Sequence, residues 1–236
     1  MTNESRFNDE AASWDSNPFI HAATANAKTA ILSRLDPSAG APDILDLGCG
    51  TGLLSLALSP TARSITSIDV AQGMVDVFNS KLEAPDAPTN IRAACVLLED
   101  PDDPVLKTDP ATGSEAEQAR RFDLVVSHLV LHHIPDLAPF LKTIHGVLKP
   151  GGQAMLTDFE DFGPEARLFH PESKMDGVER HGIKRAEIEQ LFKSAGFEHV
   201  KVETAFEMEK AIESEPRKGD SGKLMTFPFL ICQGRK

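Results

Sequence analysis

Short apolar runs alternate along the chain with longer stretches whose apolar positions recur at helical spacing. That alternation predicts a parallel β-sheet covered by helices. Seven runs read as strands: Ile44–Leu47, Ile65–Ile68, Ile91–Leu98, Phe122–Ser127, Gln153–Phe159, His199–Phe206 and Thr226–Gln233. Helical periodicity is clearest at Leu53–Leu58, Ala71–Lys81, Leu137–Leu148 and Arg185–Ala195. The punctuation agrees, since Lys149-Pro150-Gly151-Gly152 ends one helix and turns the chain into the next strand, and Ser194-Ala195-Gly196 does the same before Phe197. Between the last two runs, Glu207–Leu224 is charged and holds Pro216, Gly219 and Gly222, which leaves no room for another capped crossover helix. The expected class is therefore α/β: a doubly wound seven-stranded sheet, mostly parallel with an antiparallel last strand, and helices on both faces.

Three segments fall outside the alternation. Met1–Leu35 contains a helical stretch from about Pro18, after the lone Trp14; Glu99–Arg121 is rich in Asp, Pro and Glu and reads as a solvated loop; Glu160–Lys184 holds Gly163, Pro164, Pro171 and Gly177. The first and third are candidates for a lid, because in an open parallel sheet ligands sit at the carboxyl ends of the strands and the connections there carry function.

Composition narrows the classes. With 236 residues, 41% hydrophobic and 25% charged, the chain fits one domain with a sizeable core. A formal charge of −12 repels a phosphate backbone, which argues against nucleic-acid partners. No apolar stretch is long enough to span a bilayer, and Met1–Glu10 is polar and acidic where a signal peptide would be basic and then apolar, so a cytoplasmic protein without membrane partners is expected. Cys49, Cys95 and Cys232 form no CxxC pair and are expected to be small buried hydrophobes.

The run Ile44-Leu45-Asp46-Leu47-Gly48-Cys49-Gly50-Thr51-Gly52-Leu53-Leu54 is a buried strand passing into a glycine-rich turn and then a helix. Glycine is needed where a turn demands unusual φ and where a ligand approaches backbone with no Cβ between. The spacing is G-x-G-x-G, not the G-x-G-x-x-G of dinucleotide sites, and no Gly-Lys-Ser/Thr follows to grip a phosphate. Twenty-one residues after Gly48 stands Asp69, placed to accept both hydroxyls of a ribose or, alternatively, to cap the helix starting near Ala71.

Further on come Phe122-Asp123-Leu124-Val125-Val126-Ser127, Leu131-His132-His133-Ile134-Pro135-Asp136 and Leu148-Lys149-Pro150-Gly151-Gly152. In that order, and over about Ile44 to Phe206, the chain resembles the class I S-adenosylmethionine-dependent methyltransferases, in particular small-molecule enzymes with a Leu-His-His motif. The resemblance implies a Rossmann-like core with S-adenosyl-L-methionine as cofactor and S-adenosyl-L-homocysteine as product. It implies that the backbone of Gly48, Cys49, Gly50, Thr51 and Gly52 cradles the methionine and ribose parts. Asp46 would orient that loop and the amino group, Asp69 would hold the ribose hydroxyls, and Val70 and Met74 would pack near adenine. After the third strand, Leu98-Glu99-Asp100 offers two carboxylates for the adenine amino group, Glu99 or Asp100. Ser127 and His128 fall where backbone groups touch the methionine end. The implied organisation is one domain, 1–236, with a lid at 1–35, a cofactor-binding core at 44–159, an acceptor-pocket insertion at 160–184 and a C-terminal helix and strand pair at 185–236.

Methyl transfer from a sulfonium is an in-line displacement, so alignment supplies much of the catalysis, and a base matters only when the acceptor must lose a proton. His132 and His133, with Asp158 after the next strand, are the candidate base and orienting partner. The alternative for either histidine is a helix cap or a bond to a backbone carbonyl. His128, His132 and His133 could meet as metal ligands at i and i+4, but Pro135 interrupts such a helix and no nearby Cys completes a set, so no metal site is expected. His170 and His181 are pocket candidates or exposed loop residues, and Trp14 folds over the cofactor or anchors its segment on the sheet. The function read is methyl transfer to a small-molecule acceptor, with the acceptor atom, O, N, S or C, left open. The pI of about 5.1 and the lack of an Asn-Pro-Pro-Tyr or Pro-Cys motif argue against a nucleic-acid acceptor. A protein acceptor, a silent cofactor-binding partner subunit and an NAD-dependent oxidoreductase are the rival readings, the last opposed by the glycine spacing.

Overall fold

A computed structural model describes residues 3–175, 177–212 and 222–236. Seven strands form one sheet: β1 (Asp43–Leu47), β2 (Ser64–Asp69), β3 (Ile91–Cys95), β4 (Phe122–His128), β5 (Leu148–Phe159), β6 (Glu198–Ala211) and β7 (Leu224–Arg235). Their order across the sheet is β3-β2-β1-β4-β5-β7-β6. β1 to β5 pair in parallel, and β7 lies between β5 and β6, antiparallel to both. This is the doubly wound, mostly parallel architecture that the hydrophobic pattern predicts. The order reverses between β1 and β4, the switch point at which such sheets open a crevice.

The two-residue period of the strands sorts the core. Leu45, Leu47, Val125, Ala154, Leu156 and Leu230 face Leu141, Ile144 and Val147 of α5 (Leu137–Val147) and Ile188 and Phe192 of α6 (Arg185–Ser194). On the opposite face Ile44, Ile65, Leu124, Val126, Met155 and Ile231 meet Ala30 and Ile31 of α2 (Pro18–Leu32), Leu54 and Leu58 of α3 (Leu53–Leu58) and Phe78 of α4 (Gln72–Leu82). Asn17 caps α2 by accepting from the Phe19 N–H at 3.0 Å, with Pro18 at the first helical position, where its missing donor costs nothing.

Several details depart from the sequence-based expectation. The third strand ends at Cys95, not Leu98, because β2 ends at Asp69 and the Val96 N–H, in leaving the sheet, donates to the Asp69 carbonyl. β6 runs on to Ala211 because β7 gives it a partner as far as Leu224; Pro216 and Gly219 of the expected turn lie outside the described residues. β5 begins at Leu148 and absorbs the Pro-Gly-Gly turn in a register irregularity opposite Phe122 and Leu124. A helix α1 (Asn3–Trp14) precedes the expected N-terminal one, its Phe7, Ala11 and Trp14 packing on Ala71 and Met74 at the start of α4. The segment Glu99–Arg121 is no mere solvated loop: Leu106 is fully buried in the core, in a 3-10 turn, Pro104–Lys107, capped by Asp103. Cys49 and Cys232 are buried, whereas Cys95 is exposed at the end of the edge strand. Among the described residues no helix is long and apolar enough to cross a membrane.

Candidate active site

A cavity of about 310 Å³ opens at the carboxyl ends of the parallel strands, bounded by the glycine loop, the end of β2, the turn after β4, helices α1 and α2, and the Phe169–Pro171 segment. The loop is held by the N–H groups of Gly48 and Cys49, which both donate to the Ile68 carbonyl at 2.8 and 3.1 Å. Two of its glycines are sterically required. Gly48 has φ +72° and a Cβ there would lie 2.3 Å from the Val130 side chain; Gly52 has φ +84° and a Cβ would lie 2.2 Å from the Phe78 ring. At Gly50 a Cβ would meet nothing within 4 Å, so this stretch of backbone lies bare along the cavity.

Asp69 joins the glycine loop to the segment that leads into α4, whose N-cap is Ala71. One carboxylate oxygen accepts the Gly50 N–H at 2.7 Å and the other the Ala71 N–H at 2.9 Å, tying the loop to the helix entrance while the residue lines the cavity. Burial pushes its pKa up against these backbone hydrogen bonds. Asp46, 1% exposed, accepts from the Ser55 hydroxyl at 2.6 Å, and burial, aided by the charge of Asp69 and opposed by Ser55, pushes its pKa up to about 7. Val70, Met74 and Leu98 line the cavity with Val96 and Leu97.

Glu99 and Asp100 do not line it, contrary to expectation. The Glu99 carbonyl is held by the Thr143 hydroxyl of α5 at 2.9 Å, and the Asp100 side chain turns back to accept from the Asp102 N–H at 2.8 Å, so both acids are exposed away from an apolar wall. Ser127 is also outside the lining; its hydroxyl donates to the Leu47 carbonyl at 2.7 Å and joins β4 to β1. His128 does line the cavity, with Nδ1 2.8 Å from the Thr157 hydroxyl, and burial pushes its pKa down to about 4.

After β4, Leu129 takes φ +59°, a left-handed conformation rare for a leucine, and its N–H donates to the Thr157 carbonyl at 2.9 Å. This bend sends the chain into the 3-10 turn Leu131–His133. Arg180 clamps that turn through the Leu131 and Pro135 carbonyls, and the Glu179 N–H donates to the His132 carbonyl at 3.0 Å. His132 is 2% exposed, and its Nδ1 lies 2.9 Å from both carboxylate oxygens of the fully buried Asp158. Asp158 also accepts the N–H groups of His132 and Phe159. Burial pushes the Asp158 carboxyl up, but the charge and hydrogen bonds of His132 outweigh it and hold the group below its ordinary value. Because a carboxylate only accepts, Nδ1 of His132 carries a hydrogen, so in the neutral ring Nε2 is the lone-pair nitrogen; it has no hydrogen-bond partner. His133 reaches the Gly177 carbonyl with Nδ1 at 2.8 Å, as the backbone-bond alternative predicts.

His170 joins this cluster, its ring centroid 5.0 Å from that of His132 and 6.2 Å from that of His133. His181 does not line the cavity. Trp14 lines it and packs edge-to-face on Phe7, 5.8 Å between centroids, so it is both wall and anchor, though on α4 and not on the sheet. Sequence reasoning missed Asp15, which accepts from the Thr51 hydroxyl at 2.5 Å and pairs with Lys81, while Lys81 also donates to the Thr51 carbonyl at 2.6 Å. It missed Ser55 and Arg180 as well. Only Ser55 carried a signal, standing on the first turn of the helix that the glycine loop opens.

A family model described as a methyltransferase domain matches residues 19–202. The chain is 35% identical over 163 residues to an uncharacterized methyltransferase of Schizosaccharomyces pombe, covering 67% of this chain and 54% of that protein. It is 33% identical over 110 residues to a ubiquinone biosynthesis O-methyltransferase of Coxiella burnetii, covering 47% and 40%. The chain thus spans about half the length of the curated relatives it matches. Among solved structures, phosphoethanolamine N-methyltransferase 2 of Haemonchus contortus in complex with S-adenosylhomocysteine superposes with a TM-score of 0.61 at 17% identity, covering 89% of this chain and 52% of that one.

Proposed function

The chain belongs to the methyltransferase-domain family of class I S-adenosyl-L-methionine-dependent enzymes, and from that premise we propose that it methylates a small, largely apolar acceptor that must lose a proton, a hydroxyl before others. The observation that carries this reading is the buried Asp158–His132 pair, whose imidazole lines the same cavity as the glycine loop and Asp69 and leaves Nε2 without a hydrogen-bond partner.

The donor set fits the cofactor: a bare glycine backbone, a carboxylate at the ribose position and an apolar wall of Val70, Met74 and Leu97. When bound, S-adenosyl-L-methionine supplies a methyl group on a cationic sulfur that leaves as a neutral thioether. Asp69 and the backbone of Gly48–Gly52 hold the ribose and methionine parts, and Asp46 meets the amino group. Leu98 packs by adenine, and the amino group of the base is left to backbone and solvent, since neither Glu99 nor Asp100 reaches the cavity. His132 accepts the acceptor's proton at Nε2, and Asp158 holds the ring in the tautomer that makes this possible and stabilises the imidazolium that results. His133 shapes the wall and does not act as the base. Phe19, Phe169 and His170 bound the acceptor side, where Phe159 and Phe169 stack at 4.0 Å.

The described residues of 1–35 form the lid over the core 44–159, with Asp15 as its latch on Thr51 and Lys81; those of 160–184 shape the acceptor pocket, those of 185–236 complete the sheet of this single domain, and the compartment proposed is the cytoplasm. Isothermal titration with S-adenosyl-L-homocysteine, with NAD as control, tests the cofactor half; micromolar binding of the first alone is expected, and binding of neither moves the protein to a silent partner subunit. Release of S-adenosyl-L-homocysteine across a panel of phenols, alcohols and amines tests the acceptor half, and turnover only with amines or with protein substrates would overturn it.

A further inference from the structure

Three imidazoles converge at the acceptor end of the cavity, with one ligand atom each of His132, His133 and His170 all within 4.8 Å of one another. We propose that these residues form a facial binding site for an imidazole-seeking divalent cation of the zinc class, with its fourth position open to the cavity.

The tautomers are set from behind. The Asp158 carboxylate and the Gly177 carbonyl can only accept, so in the neutral rings Nδ1 of His132 and of His133 each carries the hydrogen and Nε2 is the nitrogen able to ligate. A carboxylate or backbone carbonyl bonded to the far nitrogen is the arrangement that orients metal-ligating histidines and raises their basicity. Nε2 of His132 is buried and has no hydrogen-bond partner, a costly state for a polar atom unless something occupies the space it faces.

Three protein ligands with one place left open is the pattern of a catalytic and not a structural zinc site. Neutral imidazole suits zinc, copper, iron and nickel, whereas magnesium and calcium seek oxygen ligands. Ligand nitrogens around tetrahedral zinc stand about 3.3 Å apart. Closing from a spacing of up to 4.8 Å asks the ligand nitrogens to approach by as much as about 1.5 Å. The sequence hid this site because its third ligand comes from the 160–184 insertion, while His128, the expected partner at i and i+4, is engaged by Thr157. With a cation held there, Nε2 of His132 would be a ligand and not the base, and an acceptor hydroxyl in the fourth position would lose its proton to solvent because the cation lowers its pKa; that step rests on the methyl-transfer reading, whereas the cation site itself does not.

The test is titration of chelator-treated full-length protein with cobalt(II), followed by visible absorption, with zinc(II) as competitor. One equivalent should give the intense bands of a four-coordinate site, and zinc should abolish them. His170→Ala and, separately, His133→Ala should weaken cobalt binding by at least about 100-fold, beyond the 10–100-fold typical of losing only a supporting residue. His181→Ala should leave it unchanged. Absence of such bands, or binding in both cluster variants as tight as in the wild type, overturns the site; a thermal melt verifies that each variant is folded, and either one suffices. S-adenosyl-L-homocysteine titration of the same samples reads the cofactor half separately, because neither outcome with cobalt predicts its affinity.

Discussion

Asp46→Asn offers the sharpest test of the electrostatics. The carboxyl is 1% exposed, and burial moves its pKa from 3.8 to about 7, so in the folded protein it keeps a proton that the unfolded chain has already lost. Below pH 4 both states are protonated and the shift has no effect on stability; between pH 4 and 7 the folded state binds more protons than the unfolded one, and stability falls as pH rises; above 7 the full cost applies. At 1.36 kcal/mol per pH unit the displacement corresponds to about 4 kcal/mol. Asparagine keeps an oxygen for the Ser55 hydroxyl and removes the titration. The variant should therefore gain on the wild type by about 4 kcal/mol between pH 4 and pH 8, about 8–16 °C in Tm for a chain of this size. Asp69, also raised by burial, is coupled to Asp46 by charge, so the difference reports the pair and not Asp46 alone. Differential scanning calorimetry of both proteins across that range, without ligand, is the assay. Parallel Tm curves would refute the assignment of a buried, proton-retaining carboxyl at this position. The same variant should bind S-adenosyl-L-homocysteine more weakly and lose the rise in affinity that the wild type shows as pH passes 7.

Other outcomes follow from the geometry. His132→Gln should lower kcat by about 10²–10⁴-fold while leaving the S-adenosyl-L-homocysteine Kd within threefold, as measured by turnover and calorimetry. Gly52→Ala, with its Cβ driven into Phe78 at positive φ, should cost about 2–4 kcal/mol in urea unfolding. Asp15→Ala should cut the latch to Thr51 and Lys81 and raise the dissociation rate of S-adenosyl-L-homocysteine about tenfold in stopped flow, with little change in Tm. Leu106→Ala should cost about 2–5 kcal/mol, which a solvated loop residue would not.

The parallel core was legible because its signals are local. Continuous apolar runs mark strands buried on both faces, and Gly48–Gly52 with Asp69 mark a turn whose chemistry allows few residue types. Helix α1 was harder to see because only Phe7, Ala11 and Trp14 of its residues are apolar contacts, too sparse a stripe to stand out until α4 supplies the other half. Leu106 sits in a polar segment, and nothing in its neighbours announces that Arg92 and Asp103 fold that segment onto the core. At the site, the Asp158–His132 pair was readable because Asp158 stands at the end of β5 and His132 in the turn that follows the adjacent strand β4. His170, Asp15 and Arg180 come from connections whose paths no periodicity dictates. Glu99 and Asp100 failed for the related reason that β3 releases the chain three residues early, turning its acids outward.

The position of β7 between β5 and β6 sets the order of events during synthesis. When β6 leaves the ribosome its only partner has not been made, and the long edge of β5 is bare at the same time. The 24 residues from Ala211 to Arg235 take about 1–5 s at 5–20 residues per second. For that interval a nascent chain with five paired strands presents an open edge and the apolar faces of Leu156 and Met155, so the species most prone to aggregate is the one that carries β6 but not yet β7.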